Sequence, residues 1–487
     1  MPTYETVIGL EIHIQLNTQS KVFCSCAADS WGAPPNTNIC PVCTGLPGVL
    51  PVLNQAVVEK AMLLAAAMHC DEIRAESFFD RKNYFYPDLP KGYQITQYDQ
   101  AIGRGGWFEV PLPSGDTRRV TLAKMHIEED AGKTKNDPAR GVRLIDMNRC
   151  GVPLVEMVTN PDLRSADEAA QFLICLRQLL RWIDVSDANM ERAHVRCDAN
   201  VSIREAGATV LNPKTEIKNV NSIDAVRAAI EKEAERQIRE VTAGRRVEAW
   251  TLEWDEDSQT LKKMRSKETE ADYRYFREPD LLSLRVGDDL RAKILQRLPE
   301  LPLERRARFV EQYKLPAYDA TVLTEERSLS EYFEAAVGLV DAQRPQGAGQ
   351  NSKAVANWVQ NEILRRLNDE GITAGDLHFT AAHLAELVLL VEAKTITRQT
   401  GVGLIGRVIE SGRSPRDLVA AEGLGQISSD EAIRAIARQV IAENPDQVEA
   451  YRKKPTLLKW FVGQVMKKSQ GKANAPLAEK VLQELLQ

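Results

Sequence analysis

The sequence predicts an α+β protein in which a mostly antiparallel sheet domain is followed by helices. Short strands with alternating apolar and polar residues recur through the first part of the chain, separated by turn-forming residues. From about residue 295 the spacing of apolar residues is helical throughout. The 487 residues are 43% apolar and 27% charged, which is ordinary for a globular protein of several domains. This composition excludes a disordered chain, a collagen and a disulfide-rich miniprotein.

Four predicted strands have one apolar and one polar face. They span residues 5–22, 119–129, 151–159 and 194–204. Apolar residues such as Ile12 and Ile14 alternate with Glu11 and His13 in the first of them, as expected for a strand that is buried on one side. Short strands of this kind indicate an antiparallel sheet with one polar face.

Three helices are predicted between and after these strands, at residues 55–68, 165–182 and 222–243. Ser165 is placed to cap the second helix, and Gly244 ends the third. We therefore predict a cradle domain over residues 1–292, a helical domain over 293–400 and a small helical tail over 401–487.

The polar strand faces predict a cation site. Glu11 and His13 have Cα atoms about 6.6–6.8 Å apart on one strand. Lys124, His126 and Glu128 form a similar set on another strand, and Glu156 and Asp198 add further carboxylates. If these strands are neighbours, the hard oxygen ligands and the imidazole would hold Mg²⁺. The alternative is that these faces are only solvated, as one side of many antiparallel sheets is.

Four of the eight cysteines form two close pairs. Cys24 and Cys26 precede Cys40 and Cys43 by 13 residues, in a segment rich in turn-forming residues. Two loops that each offer two thiolates can close a tetrahedral structural Zn²⁺ site. Four free thiols are the alternative. We interpret the other four cysteines, which are scattered, as core thiols.

Charge is distributed unevenly along the chain. The net charge is −6, whereas residues 451–487 carry +6 and the first 450 residues therefore carry −12. A basic end on an acidic body favours contact with a polyanion there. A solvated lysine face on an ordinary helix would give the same count.

Local sequence patterns indicate neither dinucleotide binding nor membrane insertion. Gly401, Gly403 and Gly406 match the dinucleotide fingerprint, but no predicted strand precedes them. The N-terminal residues lack the pattern of a secretory signal, and no apolar run is long enough for a membrane span. We expect a cytoplasmic protein that does not enter a membrane.

Long sequence strings resemble the B-subunit (GatB) family of the aspartyl/glutamyl-tRNA amidotransferases, and the resemblance covers nearly the whole chain. The matching stretches are residues 9–16 (GLEIHIQL), 45–54 (GLPGVLPVLN), 81–99 (RKNYFYPDLPKGYQITQYD), 126–133 (HIEEDAGK), 148–153 (NRCGVP), 196–204 (RCDANVSIR), 214–222 (KTEIKNVNS), 264–276 (MRSKETEADYRYF) and 463–474 (GQVMKKSQGKAN). Arg277 departs from the family pattern, which usually has proline there.

The resemblance implies an ATP-dependent carbon–nitrogen ligase that uses glutamine as amido donor and works as a complex. ATP and Mg²⁺ phosphorylate the side-chain carboxylate of glutamate or aspartate wrongly attached to a tRNA for glutamine or asparagine. Ammonia then displaces the phosphate. An amidase-type A subunit releases this ammonia, which reaches the GatB chain through a tunnel, and a small C subunit completes the complex.

The resemblance also implies roles for individual residues. Glu11, His13, Glu128 and Glu156 are expected at the Mg²⁺ and ATP-phosphate site. Asp198 and Asn200 are expected to position ATP or the aminoacyl end, and Lys82 to lie at the tunnel mouth, although a backbone-capping or salt-bridging role for Lys82 is open. The tail resembles a small YqeY-like helical domain, in which Lys467, Lys468 and Lys472 would contact tRNA phosphates.

Two other functions remain possible at this stage. The chain could be an RNA-binding or assembly module without catalysis, or a stand-alone phosphotransferase acting on a small metabolite. ATP turnover that depends on charged tRNA would distinguish the amidotransferase from both.

Overall fold

The computed structural model describes residues 3–266, 270–427 and 429–486. Contacts divide the chain into two compact units, residues 1–301 and 302–487. The strands in chain order are β1 Tyr4–Gln15, β2 Glu72–Ile73, β3 Glu76–Ser77, β4 Asp80–Asn83, β5 Tyr93–Thr96, β6 Gly103–Arg104, β7 Trp107–Pro111, β8 Thr117–Glu129, β9 Lys133–Asp137, β10 Val142–Asp146, β11 Pro153–Thr159, β12 Val195–Glu205, β13 Thr215–Val220, β14 Trp250–Asp255, β15 Thr260–Ser266, β16 Phe276–Arg277 and β17 Leu284–Arg285.

The α-helices in chain order are α1 Gln55–Ala67, α2 Ala166–Trp182, α3 Ile223–Thr242, α4 Asp288–Gln296, α5 Pro302–Tyr313, α6 Ala317–Leu323, α7 Arg327–Gln343, α8 Ala348–Trp358, α9 Leu364–Glu370, α10 Ala381–Glu392, α11 Arg398–Ser411, α12 Pro415–Glu422, α13 Asp430–Glu443, α14 Pro445–Lys453, α15 Leu458–Lys468 and α16 Ala475–Leu486. A π-helical segment, Val359–Ile363, joins α8 to α9. The α+β class predicted from the sequence is confirmed.

The first unit is built on one large sheet. Within the described residues ten strands belong to it, in the order β15-β14-β13-β12-β1-β11-β8-β6-β2, with β7 also paired to β8. All neighbours are antiparallel except β13 and β14. The four strands predicted to have polar faces are therefore contiguous, as β12-β1-β11-β8.

One face of this sheet forms the core of the first unit. Ile12, Ile127 and Val155 on that face are fully buried with apolar residues of α1, α2 and α3. Each large aliphatic side chain that is fully buried on this face contributes about 1.5–3 kcal/mol to the stability of the fold, relative to the same side chain exposed to water. The opposite face carries the polar side chains of β1, β8, β11 and β12.

The first predicted strand ends earlier than expected. It was predicted to reach residue 22, but β1 ends at Gln15. After Leu16 the chain leaves the sheet, and the Asn17 side chain donates hydrogen bonds to Asp184 and Asp187. Side-chain hydrogen bonds to the segment after α2 thus replace strand pairing where the cysteine segment begins.

The second unit contains two apolar clusters. One involves α5–α12 and includes Phe309, Phe333 and Leu404; the other involves α13–α16 and includes Ile433 and Phe461. Helix α11 crosses residue 401, where the sequence predicted a domain limit, and Leu404, Ile405 and Val408 pack in the first cluster. The predicted domain limits remain predictions.

Candidate functional site

The polar sheet face aligns charged side chains from four strands in one row. Arg196 of β12 lies opposite His13 of β1, His13 lies opposite Glu156 of β11, and Glu156 lies opposite His126 of β8. Glu11 and Asp198 form the neighbouring row. Glu128 follows His126 by two residues on β8 and therefore shares its face.

Two histidines and two glutamates meet at the centre of this face. His13 Nε2 lies 3.5 Å from Glu128 Oε1 and 3.5 Å from Glu156 Oε2. His126 Nε2 lies 3.4 Å from Glu156 Oε2 and 3.7 Å from Glu128 Oε2. Each carboxylate therefore contacts both imidazoles, and the two glutamates and His126 are buried.

The protonation of this cluster follows from its charges. Burial opposes a charge on His126, but Glu156 and Glu128 outweigh it and raise the pKa of His126 to about 9. The same carboxylates raise the pKa of His13 against burial. Burial favours protonated Glu156, yet the histidines hold its pKa well below the usual value. Burial and Glu156 raise the pKa of Glu11.

The cluster offers two overlapping sets of cation ligands. Ligand atoms of Glu11, His13 and Glu156 lie within 4.8 Å of one another, and so do those of His126, Glu128 and Glu156. Carboxylate oxygens with one imidazole fit a hard divalent cation that keeps part of its water shell. The residues predicted as Mg²⁺ ligands are therefore brought together, and their donor atoms suit that ion.

A cavity of ≈ 670 Å³ lies over the cluster. Its walls combine acids, cations and tyrosines. The lining residues include Glu11, His13, Glu128, Glu156, Lys82, Lys124, Arg149, Arg196, Lys218, Tyr98, Tyr273, Asp88 and Gly132. The volume is within the range of small-molecule and cofactor sites.

Lys82 lines this cavity, and its expected place at a tunnel mouth stays a prediction. It belongs to β4, and its Nζ lies 5.1 Å from the ring centre of Tyr273. Burial disfavours its charge, but the carboxylates of Glu128 and Glu156 raise the pKa of Lys82 above its ordinary value. Lys82 therefore carries its charge toward the acidic cluster.

Asp198 and Asn200 lie farther from the cavity. Lys218 Nζ is 2.7 Å from Asp198 Oδ2. Neither Asp198 nor Asn200 belongs to the described lining of the cavity, whereas Lys218 does. Burial disfavours the charge of Lys218, but Asp198 outweighs burial and raises the pKa of Lys218. Asp198 therefore contacts a cation that lines the cavity.

Sequence reasoning omitted several residues from the site. His126 was recognised on the polar face but not proposed as a ligand, and Arg196 and Lys218 were not assigned roles. Arg196 Nη2 lies 2.7 Å from Asp130 Oδ2. The alternation of side chains along each strand could have identified both residues as part of the site. Arg196 shares a strand face with Asp198, and Lys218 shares one with Glu216.

The four predicted zinc ligands also converge. The sulfur atoms of Cys24, Cys26, Cys40 and Cys43 lie within 4.8 Å of one another. A tetrahedral Zn²⁺ with Zn–S bonds of about 2.3 Å needs sulfur atoms about 3.8 Å apart, which is within the separation found here.

The surroundings of Cys43 favour a thiolate. Lys21 is fully buried, and its Nζ donates a 2.8 Å hydrogen bond to the carbonyl of Asn38 and lies 3.7 Å from Cys43 Sγ. A hydrogen bond with Cys24 lowers the pKa of Cys43 to about 4. A cluster of four cysteines that includes one such thiolate can hold a metal ion such as zinc.

The three predicted tRNA-contacting lysines lie at and beyond the end of α15. Lys467 and Lys468 are exposed in its last turn. Lys468 pairs with Glu443, and Lys472 Nζ donates a 3.1 Å hydrogen bond to the carbonyl of Gly423. Two of the three cations therefore have partners within this unit.

Among the helices that the structure describes, none combines the length and apolar character needed to cross a bilayer.

The fold and site define an α+β protein whose sheet domain carries two sets of possible cation ligands, and comparison with known proteins assigns the family. Residues 6–292 match the GatB/GatE catalytic domain, and residues 343–486 match the GatB domain. Similar proteins carry the name of the B subunit of aspartyl/glutamyl-tRNA(Asn/Gln) amidotransferase. That of Thermodesulfovibrio yellowstonii is 45% identical over 484 residues, covering 99% of both chains. That of Myxococcus xanthus is 44% identical over 484 residues, covering 99% of this chain and 98% of its own.

The chain therefore belongs to the GatB family of the tRNA-dependent amidotransferases, which are enzymes of the carbon–nitrogen ligase class.

Proposed function

We propose that this chain activates and amidates the side chain of a misacylated tRNA. The carboxylate of tRNA-bound glutamate or aspartate attacks the γ-phosphorus of ATP, giving an acyl phosphate and ADP. Ammonia then adds to the acyl carbon, phosphate leaves, and a proton is lost from nitrogen to give the amide. The observation that supports this proposal is the cluster of His13, His126, Glu128 and Glu156, of which all but His126 line the cavity.

The cavity residues suit the first step. Glu11, His13, Glu128 and Glu156 would hold Mg²⁺, which supplies charge neutralisation for the phosphate oxygens. Lys124, Arg196 and Lys218 line the same cavity and add positive charge for phosphates. We propose that Asp198 keeps Lys218 oriented, and that Asn200, two residues farther along the same face of β12, helps to position ATP or the aminoacyl end.

A second cavity suggests the route of ammonia. It has a volume of ≈ 210 Å³ and is lined by Lys91, Glu129 and the apolar Ile95, among others. Glu129 follows Glu128 on β8, so the two carboxylates face opposite sides of that strand. Lys91 pairs with Glu129, and Lys82 stands on the Glu128 side. We propose that ammonia enters at Lys91 and reaches the acyl phosphate beside Lys82.

The partners follow from this chemistry. An amidase-type A subunit would supply ammonia from glutamine, a small C subunit would complete the complex, and charged tRNA would be the substrate. We propose that Lys467, Lys468 and Lys472 contact tRNA phosphates. We propose further that the cysteine cluster holds structural Zn²⁺. The complex would work in the cytoplasm, where tRNAs are charged.

Free ammonium separates this chain's chemistry from that of the glutaminase. The reconstituted complex is given misacylated Glu-tRNA and Asp-tRNA in separate reactions, with ATP, Mg²⁺ and ammonium, and amide formation is measured. Glu128→Gln keeps the size of the side chain but removes a ligand charge. We expect conversion to fall by about 100-fold or more, as for other lost electrostatic groups of active sites. Glu128→Ala should lose at least as much.

Glu191→Gln is the matched control, because Glu191 is exposed in the same unit. It should keep wild-type conversion. Equal conversion by Glu128→Gln and wild type would remove Glu128 from the site. ATP turnover without tRNA would instead indicate a phosphotransferase, and absence of conversion of both tRNAs by the wild type would indicate a non-catalytic module.

A further inference from the structure

The β9–β10 hairpin lies beside the cavity but outside the large sheet. Its two strands pair only with each other among the described strands. The chain enters the hairpin directly after Gly132 and leaves it shortly before Arg149, and both residues line the cavity. The hairpin therefore projects from the cavity wall.

The hairpin presents positive charge on an otherwise acidic body. It contains four cations, at Lys133, Lys135, Arg140 and Arg143, and two acids. Both acids are engaged within the protein. Asp137 Oδ1 accepts a hydrogen bond from the Arg140 backbone, and Asp146 Oδ1 accepts hydrogen bonds from the backbones of Asn36 and Asn148.

Three cations remain available for a partner. Lys133, Lys135 and Arg143 are exposed, and none has an acidic partner among the described ion pairs of the chain. Lys133 and Lys135 share one face of β9 and have Cα atoms about 6.6–6.8 Å apart. Arg143 lies opposite Asn136 and therefore on the other face. The positive charge thus surrounds the hairpin and is not confined to one patch.

The base of the hairpin is held by hydrogen bonds. The Asn36 side chain donates a 2.9 Å hydrogen bond to the Ile145 carbonyl and accepts a 2.7 Å hydrogen bond from the Met147 backbone. On the cavity side, Thr134 Oγ1 donates a 2.8 Å hydrogen bond to Asp88 Oδ2. The segment between the cysteine pairs therefore braces one side of the hairpin, and the cavity wall braces the other.

We propose that the β9–β10 hairpin docks the phosphate backbone of the charged tRNA, beside the cavity that receives its aminoacyl end. This inference rests on the proposed function for the identity of the nucleic acid. Its own support is charge complementarity, because unpaired exposed cations on a braced hairpin beside the cavity suit a polyanion whose end enters it. Such contacts position a nucleic acid without reading its sequence.

The test is the salt dependence of tRNA binding by the whole complex. The triple variant Lys133→Ala, Lys135→Ala, Arg143→Ala is compared with wild type in a KCl titration of misacylated Glu-tRNA binding. Each phosphate contact contributes roughly 0.7–0.9 to the slope of log K against log salt. We expect the slope to fall by about 2 units, with a raised KM for tRNA and an unchanged kcat at saturating tRNA.

Two further variants control for folding and for overall charge. Lys133→Arg, Lys135→Arg, Arg143→Lys keeps every charge and should keep the wild-type slope. Arg239→Ala, Arg245→Ala, Arg246→Ala removes the same charge near the end of α3, where all three residues are exposed, and should also keep it. An unchanged slope in the hairpin variant would overturn the proposal, as would an equal loss in the α3 variant.

Two outcomes separate this inference from the proposed function. If the hairpin variant no longer assembles with the rest of the complex, the hairpin is a protein interface and the proposal is overturned. The wild-type complex could fail to amidate the tRNA while the hairpin variant still shows a smaller salt slope of tRNA binding than the wild type. In that case the proposed chemistry fails and the docking surface stands.

Discussion

His126 shows how one buried residue can organise a site that it does not line. Its imidazole lies within 3.7 Å of both Glu128 and Glu156, yet it is outside the described lining of the cavity. It therefore holds the two carboxylates from behind. Groups that orient metal ligands in this way affect both metal affinity and rate.

We predict that His126→Ala raises the Mg²⁺ concentration needed for half-maximal ammonium-dependent conversion by about 10–100-fold. The reason is that both carboxylates lose a shared partner. His126→Gln keeps a donor and should recover part of the loss. The measurement is a Mg²⁺ titration at saturating tRNA, and unchanged Mg²⁺ dependence in His126→Ala would contradict the prediction.

Arg277 shows how the structure accommodates a departure from the family pattern. Its guanidinium lies 3.2 Å from the carboxylate of the buried Asp80 and 4.4 Å from the ring centre of Phe78. Asp80 in turn accepts a hydrogen bond from the backbone of Tyr98. The charge of Arg277 thus compensates a buried acid beside β5, which a proline could not do.

At the scale of elements, the cysteine segment acts as a brace. The residues between the two cysteine pairs contact the end of the β9–β10 hairpin and the turn after it through Asn36 and Asn38. The Asn38 backbone donates a 2.8 Å hydrogen bond to Asn148 Oδ1. Metal held by the cysteines would therefore order a segment that itself orders the wall of the cavity.

We predict that Cys40→Ser removes bound zinc and lowers the melting temperature, because a structural metal contributes its binding free energy to folding. A strong chelator should have the same effect on wild type and none on the variant. Zinc content by mass spectrometry and thermal unfolding are the measurements. Cys70→Ala, outside the cluster, should retain the metal; equal zinc in Cys40→Ser and wild type would exclude the site.

At the scale of the whole molecule, the last helices form a core of their own. Ile433, Phe461 and Val481 are fully buried in it, whereas residues of α11 and α12 pack with the preceding helices. Truncation near residue 401 would cut α11 and expose Leu404, Ile405 and Val408. Ending the chain after residue 426 would instead leave intact the core of the sheet unit and the apolar cluster of α5–α12.

We predict that truncation after residue 426 weakens tRNA binding and lowers the salt dependence of that binding while leaving the sheet unit folded. The reason is the loss of the basic residues 451–487, which carry +6. Binding in a KCl titration and conversion at saturating tRNA with ammonium are the measurements. Wild-type tRNA affinity in the truncated complex would show that the tail makes no contact with tRNA.

Much of the fold and part of the site followed from local pattern. Alternation along β1, β8, β11 and β12 placed Glu11, His13, Glu128 and Glu156 on polar faces, because neighbouring side chains on a strand point to opposite sides. The spacing of the cysteines similarly predicted their convergence. These signals depend on residues close together in the chain, so the sequence alone carries them.

The tertiary structure alone decided which strands are neighbours and therefore which charges meet. His13 faces Glu156, and Glu156 faces His126, only because β11 lies between β1 and β8. Strand order depends on how the whole apolar face packs against the helices, which no local pattern encodes. For the same reason the sequence determined the ligand types and the polar face, whereas tertiary packing decided the position of His126 behind the carboxylates and of the hairpin beside the cavity.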